Sequence, residues 1–213
     1  MIKIWRDFMS NKPKFYEFIL SILASVIFGY FFKKYLSLVE SWDHNLGVFD
    51  DPLFLKDPID LSIPIFVLTY GTILCFILYH LNNPTKLMHL IQLAVLVDIF
   101  RVISLFFIRL DAPEMIELYD PVLNFLIYEI NPDTNSYNQH DLFFSGHTAN
   151  LFIISCLFKK KSIRNLFLVI TFITGLFLVL QKVHYSIDVI FAPIISLFIL
   201  FVHKKIFLNS KAT

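Results

Sequence analysis

The chain has 213 residues, 57% of them hydrophobic, and a mean hydropathy of +0.68, which excludes an ordinary soluble domain. Its formal net charge of +1 leaves no basic surplus of the kind that marks a nucleic-acid-binding protein. Cys75 and Cys156 both lie in apolar runs, so packed thiols are expected rather than a disulfide.

The N-terminal arm carries Lys3, Arg6, Lys12 and Lys14. The apolar run behind it is long and has no small-x-small cleavage site, so it does not read as a cleaved signal. Six apolar spans follow in order: 15–32, 59–81, 87–110, 142–158, 163–180 and 184–202. Each is near the length needed to cross ~30 Å of hydrocarbon as a helix, the fourth being the shortest. They do not alternate as barrel strands do. The expected fold is all-α: a polytopic membrane protein and a six-transmembrane-helix bundle, one integral domain over residues 1–213.

Two connections are long and acidic. Residues 33–58 carry Glu40, Asp43, Asp50, Asp51 and Asp57, and residues 111–141 carry seven acids and no Lys or Arg. The turn "KKKSIRN" at 159–165 is basic, as is the tail with Lys204, Lys205 and Lys211. Counting by the positive-inside rule places twelve basic residues on one side and five on the other, with Lys33 and Lys34 against the trend. Both termini and the 159–165 turn are then cytoplasmic. The 111–141 loop and the starts of the fourth and sixth spans are external or lumenal.

The sixth span opens "KVHYSIDVIF". His184 and Asp188 are four apart, which puts them on one helical face. An aspartate on one ring nitrogen leaves the other free as nucleophile or base. The alternative is an interfacial histidine capping the helix beside a solvated acid. The fourth span opens "DLFFSGHTANLF", led by Asp141 and placing His147 on the same side as His184. Ser145 and Gly146 sit near a helix start, where free N–H groups can hold an anion; otherwise they serve only close packing. The third span contains "VDIFR". Asp98 and Arg101 at mid-bilayer are costly unless paired or lining a cavity. Either Arg101 meets substrate phosphate with Asp98 holding it, or the two form a structural ion pair. Arg109 lies nearer the external surface. His80 and His89 fall at the opposite end from the two motifs. No His, Asp and Glu spacing suggests a metal site.

"DLFFSGHT" and "HYSIDV" resemble the two C-terminal signature motifs of the sphingomyelin synthase family, a branch of the type 2 phosphatidic acid phosphatase superfamily. "FRVISLFFIRLDAP" at 100–113 is similar to a third-span segment of that branch, and "DDPLFLKDPID" faintly echoes its first external loop. The resemblance covers about residues 98–195. It implies that His184 is the phosphoryl-accepting nucleophile, that Asp188 orients it, and that His147 is the acid and then the base. Ser145, Gly146, Arg101 and Lys182 would bind phosphate, with Asp98 and Asp141 in support and no metal or cofactor. The superfamily's phosphatases have a Ser-Arg pair before the second histidine. Here those positions are Phe177 and Leu178, which favours the synthase-like branch. Gln139 and His140 replace a cysteine and a glycine common in synthases, which leaves the head group open.

The reaction this implies is transfer of a phospho-alcohol from a bilayer glycerophospholipid to ceramide or a similar lipid alcohol. Hydrolysis at the same site, as a phospholipase C or phosphatase, is the second reading. A non-enzymatic lipid-binding protein or channel is the third. The topology has a direct test. In a cysteine-free background, an impermeant thiol reagent added to intact cells should label a cysteine at position 135 and spare one at 160; the opposite pattern inverts the arrangement.

Overall fold

The computed structural model describes residues 1–43, 47–114, 116, 118, 120 and 139–208. Among these every regular element is helical: α1 (Ile2–Ser10), α2 (Lys12–Val39), α3 (Ser62–Tyr79), α4 (Pro84–Phe107), α5 (Gly146–Leu157), α6 (Lys161–Leu180) and α7 (Ser186–His203). A short π-helical turn, Lys204–Leu208, continues α7. The expected external placement of 121–138, and of Lys211 on the other side, concerns positions outside the described residues.

Helix starts follow local chemistry. Asn11 and Asn83 accept the N–H groups of Lys14 and Lys86, each with a proline opening the helix behind it. Asp60 accepts the Ser62 N–H at 3.0 Å. Ser145 accepts the Thr148 N–H at 3.3 Å and starts α5.

Five helices are long and apolar enough to cross a membrane: α2, α3, α4, α6 and α7, the last together with its π turn. The expected fourth span is different. Residues 142–145 are not helical, and α5 has only 12 residues. At 1.5 Å per residue it covers about 18 Å, short of the hydrocarbon core. The reason is its place in the fold. Thr148, Ala149, Leu151, Ile153, Ile154 and Ser155 are all buried, so α5 is surrounded by protein rather than lipid. α2 is the reverse, with only Ser21, Leu36 and Val39 buried among its 28 residues.

The core follows from this arrangement. Ala149 and Ile153 of α5 pack with Leu93 and Val97 of α4 and with Ala192 and Ile199 of α7. On the other side, Ile154 meets Phe76 of α3 and Phe167 of α6. Cys75 is exposed on α3, not packed as expected; Cys156 is half-buried, and both are free thiols.

α6 and α7 close on each other at Gly175. A Cβ there would stand 2.5 Å from Val189 Cγ1, with Thr148 of α5 also in contact range. Valine is stiff at χ1, so it cannot swing away cheaply. Gly175→Ala should cost about 1–3 kcal/mol by overpacking and lower the thermal midpoint of the purified protein. Adding Val189→Ala should recover much of that loss, as a double-mutant comparison of thermal midpoints will show.

Candidate active site

One end of the bundle gathers both motifs. α6 ends in a Schellman motif: Lys182 N–H bonds Val179 O at 2.9 Å and Val183 N–H bonds Leu178 O at 3.0 Å. Lys182 holds the left-handed position, φ 59°, which usually goes to glycine. This tight stop delivers His184 and Tyr185 directly to the start of α7.

Asp188 lies in the first turn of α7 and is fully buried. Its Oδ2 accepts the Tyr185 N–H at 3.0 Å, satisfying one open donor of the helix start. The same oxygen lies 3.4 Å from His184 Nδ1. His184 is 3% exposed. The picture of a solvated acid beside a capping histidine therefore fails on burial. With Nδ1–H donated to Asp188, the Nε2 lone pair is free.

The second motif is tied to the first through the backbone: Ser145 N–H donates to Asp188 O at 3.2 Å. Ser145 is fully buried, and its hydroxyl oxygen accepts from both the amide and the hydroxyl of Thr148. His147 follows one residue into α5, half-buried, with Phe66 edge-on to its ring at 5.6 Å. It is near enough to His184, Arg101, Asp141 and Asp120 for their charges to interact. The amides of Gly146 and His147, first in the helix, find no acceptor among the described residues.

Arg101 reaches this point from α4. Its guanidinium lies against Gly146, where a Cβ would stand 2.5 Å from Nη1 and 2.9 Å from Cζ. Asp141 forms an ion pair with Nη2, and Phe32 packs under the group at 5.2 Å. Nε is buried and unpartnered among the described residues. The partner expected from sequence was Asp98. The structure gives Arg101 to Asp141 instead: the missing side chain at Gly146 leaves room for the guanidinium against the start of α5, within reach of Asp141 in the non-helical segment before it. Asp98 is half-buried and makes no ion pair among the described residues.

Lys182 is not brought to the histidines by any hydrogen bond. Its ammonium donates to Lys56 O at 3.1 Å and lies over Phe54. Arg109 stacks on Trp42 at 4.6 Å. Among the described residues, no group of three His, Cys, Asp or Glu is arranged to hold a metal.

Several supports were missed from sequence. Asp51 is buried and accepts the Ser186 N–H at 2.6 Å, capping α7 from 135 residues away. Tyr185 donates to Asp111 O at 2.9 Å, accepts from the Phe49 N–H and stacks on Phe54. Gln181 is fully buried and joins α6 to Leu61 and Ser62 at the start of α3. Glu40 takes both the amide and Nδ1 of His140, tying the end of α2 to the residue before Asp141. The acids of the first loop were visible in sequence, but nothing marked which one would cap α7.

Residues 140–205 match the family model described as PAP2 superfamily C-terminal. The match covers less than half the chain but contains His147, His184 and Asp188, and it supports the superfamily for this segment. Members of that superfamily are generally phosphatases and phosphotransferases, which supports an enzyme acting on phosphate esters. No curated protein matches the chain.

Gly146 gives the sharpest test of this geometry. Gly146→Ala should push the guanidinium off the start of α5 and lower turnover at least about tenfold, since small misplacements near reacting groups can cost ~10²-fold. Thermal unfolding should move little, because the displaced atoms end a flexible side chain. Unchanged turnover would separate Arg101 from the chemistry.

Proposed function

We propose that the chain is a lipid head-group phosphotransferase of the sphingomyelin synthase-like kind, moving a phospho-alcohol from a glycerophospholipid to ceramide or a similar lipid alcohol. The observation that supports it most is the buried His184–Asp188 pair, hydrogen-bonded at Nδ1 and tied through Ser145 to the helix of His147.

His184 Nε2 attacks phosphorus, and the bond from phosphorus to the diacylglycerol oxygen breaks. His147, as imidazolium, protonates that oxygen and releases diacylglycerol. His147, now neutral, takes the proton of the acceptor hydroxyl. The acceptor oxygen attacks phosphorus, the P–N bond breaks, and His184 is restored. Asp188 stabilises the positive charge that forms on the ring. Arg101 and the open amides of Gly146 and His147 supply donors for the phosphoryl oxygens. Asp141 sets the guanidinium, and Ser145 acts by positioning α5. Lys182 enters at the rim, over the 47–61 segment. Asp98 remains a supporting group near Arg101. The reading calls for no cofactor.

In this proposal α5 and the non-helical residues before it make the sixth crossing, inside the protein. The site opens externally or to a lumen, with both termini cytoplasmic, and donor and acceptor arrive laterally from the bilayer. Leu178 in place of a phosphatase-type arginine supports a diester donor, which carries less charge than a monoester.

Purified protein should convert phosphatidylcholine or phosphatidylethanolamine plus ceramide into diacylglycerol and the ceramide phosphodiester. Without ceramide, slow release of free phospho-alcohol is expected. Head-group-labelled donor should leave acid-labile label on the protein, absent in His184→Ala. His147→Ala and Asp188→Ala should each lower turnover by ~10²-fold or more. Rapid phosphate release from phosphatidic acid, with diesters untouched, would overturn the assignment.

A further inference from the structure

The end of the bundle opposite the site carries α1. One residue, Asn11, separates it from α2. Were the two helices continuous, Trp5 and Phe18 would be about 20 Å apart along the axis. Their rings instead meet at 6.2 Å, and those of Phe8 and Phe18 at 5.8 Å. Trp5 Nε1–H also donates to Leu81 O at 2.8 Å, in the turn between α3 and α4. α1 therefore crosses the end of the bundle and is fixed at two points.

The helix is sharply two-faced. At 100° per residue, Lys3, Arg6, Asp7 and Ser10 share one arc, and Ile2, Ile4, Trp5, Phe8 and Met9 the other. The apolar arc is only half used by the protein. Phe8 is buried and Trp5 half-buried, but Ile2 is 80% and Met9 50% exposed. The polar arc is net basic, and Lys12 and Lys14 follow it. The same end holds Lys159, Lys160, Lys161 and Arg164 at the start of α6 and Lys204 and Lys205 after α7.

We propose that α1 lies in the headgroup layer of an anionic lipid leaflet. The Ile2–Met9 edge enters the acyl boundary, and Lys3 and Arg6, with Lys12 and Lys14, hold lipid phosphates. A lipid surface fits better than a protein partner. α2, joined to α1 through Asn11, exposes the apolar Tyr16, Ile19, Leu20 and Leu23 in its N-terminal half, and the charge flanking the uncovered edge of α1 complements anionic headgroups. The inference does not rest on the proposed chemistry.

The test uses the whole protein in vesicles, with Cys75→Ser and Cys156→Ser. Single cysteines Ile2→Cys, Met9→Cys, Asp7→Cys and Ser10→Cys carry a nitroxide. Labels at 2 and 9 should relax with oxygen and be shielded from a water-soluble nickel chelate; those at 7 and 10 should show the reverse. Replacing part of the phosphatidylcholine by phosphatidylglycerol should shift 2 and 9 further toward oxygen, and Lys3→Glu with Arg6→Glu should abolish that shift. Equal chelate access at all four positions would overturn the proposal in favour of a helix in water. Shielding of 2 and 9 from both reagents would overturn it in favour of a protein cover. No response to phosphatidylglycerol would overturn the anionic selectivity.

Discussion

A carboxylate with no solvent exposure must be compensated from within, because removing an ionised group from water costs several kcal/mol even after relaxation. Asp188 is such a group. Its Oδ2 takes the Tyr185 N–H and faces His184 Nδ1, while Oδ1 has no hydrogen-bond partner among the described residues; separately, its main-chain oxygen takes the Ser145 N–H. One residue thus caps α7, orients a histidine and fixes where α5 begins. The close approach at Gly175, the left-handed turn at Lys182 and the Asp51 cap on Ser186 hold α7 where this is possible.

The short α5 follows from the same requirement. A helix capped by Ser145 and starting with Gly and His, whose first amides find no acceptor among the described residues, cannot have lipid at its N-terminus. It is instead enclosed by longer helices that supply the lipid-facing surface. Polar groups at its start meet Arg101, Asp141 and Asp188, while its apolar length joins two hydrophobic clusters. The bundle is therefore graded from a lipid-facing exterior to a cluster of polar side chains at one end.

Its two ends differ in charge for separate reasons. At the site end the acids are structural as much as electrostatic: Asp51 caps a helix, Glu40 clamps His140 and Asp141 holds Arg101. At the other end the basic side chains are mostly exposed, and the histidines are absorbed into packing. His80 bonds Phe76 O, and His203 bonds Gln92, which in turn reaches Glu17 and Ser21. This network ties α7 and α4 to α2, which packs on α4 again further along through Leu36, Val39 and Leu105.

Hydropathy alone located four of the long helices to within a few residues, because lipid-facing surface must be apolar whatever its neighbours are; α2 runs on seven residues past the expected end, through Lys33 and Lys34 to Val39. The spacing of His184 and Asp188 was equally legible, since four residues is one helical turn. The two signature stretches could be read as belonging to one chemistry. Sequence did not give the non-helical start and central burial of α5, nor α1 as an element, nor Asp51, Tyr185, Gln181 and Glu40 as supports. It also paired Arg101 with Asp98, its neighbour in the chain. Those features depend on contacts between residues up to 136 positions apart, such as Phe49 with Tyr185. Periodicity encodes what a residue does along its own helix. Which acid meets Arg101, and which loop caps α7, is decided only when packing brings distant backbone donors and charges together and leaves them no water to bind.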